Sequence, residues 1–507
     1  MHYMVSMALA AVVAAVSLQH LSRLVCRLLA ISALPLVNGK RWFELSNVRC
    51  RRNFIHRAGE MMRQQLDRSP RSPFRVLADV GEVLILPPEY AHEIRNNNQL
   101  SFTKAAFKWF YAHLPGFEGF REGTTESHIM KIVATQQLTQ QLTLVTKPMS
   151  EECASALKDV YTDDPEWHEI GAKDANLRIV ARIISRVFLG PELCRNARWL
   201  RITSTYTVVS FRAVEELRLW PWWLRSTVHW FLPHCTAARA LVREARDLIN
   251  PVLEQRRRDK ILALETGEEC EYNDAIEWLE QIARERQVSY DAAVSQLCLS
   301  LAAMHSTTDF FTQALFDLAS HPELMQPLRA EVESVLGTGE WSKTSLYNLK
   351  LMDSVLKESQ RLKPIAITSM RRYTTTDVEL SDGTVLPGGY LTMVSVKKHW
   401  DPQVYAKPHE FDGYRFYKMR QQPGKENTSQ LVSATADHMG FGYGHHACPG
   451  RFFAAEEIKI ALCHILLKYD FKLVPGHSVE PVRFGVSLTA NPTAKLAIRR
   501  RKGAWSI

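Results

Sequence analysis

From Val288 to Ser320 the chain contains no proline, glycine, lysine or arginine. Such a stretch breaks no helical turn and leaves almost no polar face. It is therefore expected as one helix buried through the middle of a large domain. His321-Pro322-Glu323 closes it, and Leu324–Leu336 resumes with helical periodicity. Asp274–Arg286 reads as a charged helix ahead of it, and Ser345–Leu362 as another that Lys363-Pro364 stops. A helix this apolar needs much chain around it, and 507 residues at 46% hydrophobic supply that cover. Nothing between residues 45 and 507 reads as a linker, a low-complexity tract or a repeat, so one unit over 45–507 is expected.

After Leu362 the period changes. Arg372–Glu379 is rich in β-branched residues and Ser381-Asp382-Gly383 is a turn signal. Thr384–Leu386, Pro387-Gly388-Gly389 and Tyr390–Val396 continue as short strands and turns. Asp401–His438 is irregular and polar, and a final helix runs from Arg451 to about Lys468. The fold class read from this order is mainly α with a small β region.

The amino terminus has its own character. From Tyr3 to Ser22 there is no Lys, Arg, Asp or Glu. Such a segment reaches about 30 Å as a helix, the thickness of the hydrocarbon core. Arg23, Arg27, Lys40, Arg41, Arg49, Arg51 and Arg52 follow, which puts the rest of the chain on the cytoplasmic side. Residues 1–22 are thus expected as a membrane anchor and 23–44 as a basic, proline-containing hinge, with Leu24–Leu36 continuing along the membrane surface. A cleaved secretory signal is the alternative, and the missing basic n-region speaks against it.

The net charge of +9 and pI near 9.0 favour an acidic partner or anionic lipid. The basic residues are scattered and no nucleic-acid signature accompanies them, so no nucleic-acid partner is expected. Nine cysteines at irregular spacing, with no C-x-x-C, indicate neither a disulfide framework nor a zinc ribbon.

One loop stands apart: Phe441-Gly442-Tyr443-Gly444-His445-His446-Ala447-Cys448-Pro449-Gly450. Its glycines let the backbone turn sharply and approach a flat ligand. Cys448 precedes the helix opening at Arg451, where free N–H groups favour a thiolate. Pro449 suits a first helical turn. Those are the requirements for a cysteine held as anionic axial ligand to haem iron. A buried thiol in a glycine loop is the bland alternative. A zinc site from His445, His446 and Cys448 is another, poorly served by adjacent histidines.

Residues 441–450 resemble the haem loop of the cytochromes P450, F-x-x-G-x-x-x-C-P-G, at every fixed position. The resemblance implies haem ligated by Cys448, with Phe441 and Gly442 against it. His446 stands where the family commonly has an Arg that reaches a haem propionate, implying a weaker, pH-dependent contact. Arg372 matches the family's propionate-binding Arg. Glu358 and Arg361 match its E-x-x-R helix pair, and Arg415 in Phe411–Phe416 its third partner. These three are expected as a structural triad bracing the haem loop. In the central helix the family usually reads A-G-x-[D/E]-T. Here Ala302-Ala303-Met304-His305-Ser306 follows, so His305 replaces the acid and Ser306 the alcohol. Sliding by one puts Thr307 at the alcohol instead.

The resemblance further implies a monooxygenase that inserts one oxygen atom of O2 into a C–H bond of a hydrophobic substrate. Electrons would come from NADPH through a membrane-bound flavoprotein reductase meeting Arg451, Lys459 and Lys468. The location implied is the endoplasmic reticulum membrane. Residues 101–125 and 205–232 are expected to line or cover the pocket. Leu34–Lys40, Leu114–Phe120 and Gly450–Ala454 resemble fungal members that oxidise terpenoid or meroterpenoid skeletons of secondary metabolism. The altered segment Met304-His305-Ser306 keeps a rival open: a non-oxygenating thiolate-haem protein, isomerase-type or gas-sensing.

Overall fold

The computed structural model describes residues 31–125, 129–337 and 340–503, with isolated positions between 14 and 22. The expected anchor, 1–22, lies largely outside the described residues. Among those described, no helix is long and apolar enough to cross a membrane.

Numbering helices of six or more residues and strands of three or more, the chain runs α1 Val48–Arg68, β1 Phe74–Ala78, β2 Gly81–Leu86, α2 Phe102–Trp109, α3 Leu142–Tyr161, β3 His168–Gly171, α4 Ala172–Leu193, α5 Ala197–Leu219 and α6 Pro233–Thr266. It continues α7 Ala275–Arg286, α8 Ala292–Ser320, α9 Met325–Leu336, α10 Lys343–Asn348, α11 Lys350–Leu362, β4 Thr368–Thr374, β5 Leu391–Ser395 and α12 Arg415–Arg420. It ends α13 Arg451–Lys468, β6 Tyr469–Leu473, β7 Val482–Phe484, β8 Ser487–Thr489 and β9 Lys495–Arg500. The body is helical, with small sheets set against it.

α8 is the expected central helix. Asp291 caps it, its carboxylate accepting from the Val294 N–H at 3.1 Å, and Pro322 follows its end. It packs against α4, α5, α6, α11 and the short helix Glu118–Glu122. Ala292–Ser300 is buried throughout, as is most of Thr307–Leu318. Between them the helix opens: Ala302 and Ser306, one turn apart, are exposed.

The largest sheet has the order β1-β2-β5-β4 with Leu100–Ser101 at its edge, and only β2 and β5 run parallel. β4 begins at Thr368, ahead of the Arg372 start read from sequence. Its register against β5 slips between Ser369 and Arg372, and Met370 takes φ 50° at that bulge. β3, β9 and β6 form a second sheet.

Other expectations need correction. Ser345–Leu362 is two helices, because Glu331 of α9 accepts from the N–H groups of Leu351 and Met352 at 2.6 and 2.9 Å and caps a new start there. The stretch Asp401–His438 contains α12. The β1–β2 hairpin turns at Gly81, φ 119°, without a strong two-residue turn signal.

Candidate active site

The cysteine loop folds on its own backbone. The Cys448 N–H donates to Phe441 O at 2.7 Å, the Gly442 N–H to Met439 O at 2.9 Å, and the Ala447 N–H to Gly444 O at 3.0 Å. Gly442 and Gly444 take φ 77° and 79°, where a side chain is strained. A Cβ on Gly444 would lie 2.5 Å from Arg95 O, so this glycine also permits close contact with the Arg95–Asn96 turn. Arg451 holds the outgoing chain through Cys448 O and Val432 O. Burial pushes the Cys448 thiol up, against the smaller pull of the Gly450 amide and Arg451. The helix start thus offsets only part of the cost of a buried thiolate.

Arg372 is 1% exposed. One of its terminal nitrogens donates to Arg371 O at 2.8 Å, while Nε and Nη2 are buried without a partner. Burial lowers it to about 10, so it stays charged at neutral pH. His446 is exposed, with its ring 6.0 Å from Phe102. Partial desolvation, then the charges of Arg372 and Lys131, push it down to about 4. It is therefore neutral near pH 7 while those cations stand beside it. Lys131, in the short helix Ile129–Ile132, joins this cationic corner. Sequence pattern did not single it out, because a lone lysine there has no distinguishing spacing.

Glu358 and Arg361 on α11 are fully buried. Both carboxylate oxygens of Glu358 accept from Arg361 at 2.8 Å, and from Arg415 at 3.0 and 3.1 Å. The two arginines then reach outward: Arg361 to the carbonyls of His399 and Pro408, Arg415 to those of Ala406 and Glu410. Lys357, also buried, donates to the carbonyls of Thr428, Gln430 and Ser433. His399 accepts from the Met439 N–H at 3.0 Å and stacks on His438 at 4.8 Å. One turn of α11 thus gathers the irregular chain that leads into the cysteine loop. Lys357, His399 and His438 were not read from sequence.

On α8 the Ser306 hydroxyl lies on the open face and donates to Ala302 O at 3.2 Å. Thr307 is 4% exposed. His305 points elsewhere, interacting with the backbone of Ser204 on α5 and with Lys173. Burial lowers it to about 4, so its imidazole is neutral at pH 7. One turn on, Asp309 pairs with Lys173 at 2.7 Å.

The expected reductase contacts are corrected in part. Lys459 is buried and pairs with Asp353 at 2.6 Å, and Lys468 is buried as well. Neither presents its charge to a partner.

The sequence profile of the cytochrome P450 family matches residues 77–497. This chain belongs to the cytochrome P450 family. It is 70% identical over 434 residues to cytochrome P450 monooxygenase 1 of Gibberella fujikuroi, spanning 86% of this chain and 99% of that one. It is 49% identical to the hepE monooxygenase of Aspergillus oryzae over 93% of this chain and 87% of that one. Two solved structures share the fold. The cytochrome P450DA heme domain matches at TM-score 0.71 and 17% identity, over 92% of this chain and 98% of its own. A retinoic-acid-bound cyanobacterial protein matches at TM-score 0.67 and 16% identity, over 92% and 99%.

As a cytochrome P450 the chain is a haem-dependent monooxygenase, an oxidoreductase of hydrophobic substrates that draws electrons from a redox partner. Its residues fit the cofactor. A thiol stands at the end of a glycine loop, and a buried guanidinium with two unpaired nitrogens waits beside Lys131 and His446. Anionic propionates would complete that corner.

Proposed function

We propose that Cys448 would hold the haem iron through its thiolate, with Phe441 and Gly442 lining the haem site. Arg372 would receive a propionate, assisted by Lys131 and His446. Glu358, Arg361 and Arg415 brace the loop from behind. The bound haem supplies the redox chemistry that activates O2, and the thiolate tunes it. Ser306 then holds a proton-donating hydroxyl on the open face of α8. The reading is carried by the Cys448 loop, whose backbone bonds and positive-φ glycines suit a thiolate facing a flat cofactor.

The substrate we assign is a terpenoid or meroterpenoid skeleton of secondary metabolism. The fungal relatives and the segments Leu34–Lys40, Leu114–Phe120 and Gly450–Ala454 support it. We further assign residues 1–22 to an anchor in the endoplasmic reticulum membrane, 23–44 to a hinge and 45–507 to one cytoplasmic catalytic domain served by an NADPH-dependent flavoprotein reductase. Beyond the anchor, an exposed aromatic band supports contact with lipid. Leu219, Trp222, Trp223, Trp230 and Phe231 are each more than half exposed. Arg51, next to the exposed Val48, bonds the Arg218 carbonyl and brings a basic residue to the same edge.

The test is to express the full chain and residues 23–507 in microsomes supplemented with reductase, and to offer a terpenoid panel. The full chain should resist alkaline carbonate extraction and yield a product with one added oxygen, dependent on NADPH and O2. Conversion without either would return the non-oxygenating rival. Equal extraction of both forms would remove the anchor.

A further inference from the structure

The bulge in β4 has a consequence for the two adjacent arginines. Ser369 faces Val394 and Arg372 faces Thr392, so Met370 and Arg371 together oppose Met393. Past the bulge, Arg372 goes to the cysteine loop, while Arg371, of alternate burial, lies over the indole of Trp109, 4.0 Å from its centroid. Arg218, at the end of α5, lies over the same ring at 5.3 Å. It forms an ion pair with Asp79 and donates to Trp109 O at 3.1 Å.

Two guanidiniums therefore share one ring, with a single carboxylate, Asp79, nearby. Asp79 is committed to Arg218, and the side chain of Arg371 makes no ion pair or hydrogen bond among the described contacts. The Nε atoms of both arginines are buried and unpartnered. Burial and the neighbouring Arg218 charge together push Arg371 down to about 10, which still leaves it cationic. A partly buried cation without an ion-pair partner is costly, and the indole face offsets only part of that cost.

The position of this charge matters. Leu301, beside the open Ala302, packs in one cluster with Phe110, Phe120 and Leu217. Phe110 and Phe120 stack at 4.4 Å. Phe110 follows Trp109 in the chain, and Leu217 precedes Arg218. Phe110 also packs against the cluster that holds Trp109, so aromatic contacts join Leu301 on α8 to the ring beneath the arginine pair.

We propose that Arg371 is a specificity residue that holds the carboxylate of an acidic substrate, whose apolar body lies along the Phe110–Phe120 wall toward Ser306. The inference rests on the terpenoid reading only for the shape of that body; the anionic group is read from the arginines alone.

The test titrates the haem-loaded protein with abietic acid, its methyl ester and palmitic acid, following the Soret band and equilibrium dialysis. Abietic acid should bind about tenfold or more tighter than the ester, the usual scale for a charge-assisted hydrogen bond. Arg371→Met should weaken the acid alone, and Arg371→Lys should restore part of the loss. An unchanged carbon monoxide spectrum shows that each variant keeps its haem site. Equal affinity for acid and ester, or equal weakening of both by Arg371→Met, overturns the inference. Arg371-dependent binding of palmitate with none of either abietane compound supports the carboxylate and removes the terpenoid reading. Failure of both acids to bind overturns the inference outright.

Discussion

Ser306 and Thr307 are adjacent and face different surroundings. The Ser306 hydroxyl sits on the open face, while Thr307 is packed inside. The first is placed to order water on that face, which is consistent with the register that takes Ala302-Ala303 as the small pair. Ser306→Ala should retain haem and NADPH consumption but release hydrogen peroxide in place of product. Coupled turnover should fall about 10- to 100-fold, the lower end of what a positioned proton donor contributes. Thr307→Ala should leave coupling intact. The reverse pattern would shift the register by one. His305 fits the relay role less well, because burial holds it neutral and it faces α4 and α5. At this scale the cysteine loop was legible, since a ten-residue pattern leaves few alternatives. Lys131, Lys357 and His399 were not, because their partners lie far away in sequence.

Among elements, α11 is the one that gathers the chain entering the loop. Glu358 carries two buried arginines, and each arginine holds carbonyls of the chain entering the loop. Removing one partner of a buried charge network typically costs about 3–5 kcal/mol, because the charge left behind has no solvent. Glu358→Ala and Arg361→Ala should each yield protein with little haem, read as the ratio of Soret to protein absorbance. Full occupancy in both would reduce the network to an ordinary ion pair. The pair itself was visible as a three-residue spacing on a helix, but that spacing is common; its meaning came from the family resemblance. The break before α11 was invisible because its cap is Glu331 from another helix. The β4 bulge was hidden for a similar reason, since pairing with β5 decides it. Long, locally determined elements such as α8 and α13 could be read directly.

At the scale of the whole molecule, the helical body and small sheets place a thiol, a cationic corner and an open helix face in one fold. Net charge was a weaker guide. It pointed to basic contacts for a reductase, yet Lys459 and Lys468 are buried in the interior. Hydrophobic pattern and the cysteine loop were enough to read the fold class, while side-chain partnership across the chain set the details. All of it turns on the ligand of the iron. The direct measurement is the spectrum of the reduced, haem-loaded protein under carbon monoxide. The red-shifted Soret band of thiolate ligation is predicted for the wild type, with its loss in Cys448→Ser, whose neutral hydroxyl cannot replace the axial anion. A wild-type band typical of histidine ligation, or a Cys448→Ser spectrum unchanged from the wild type, would contradict the account.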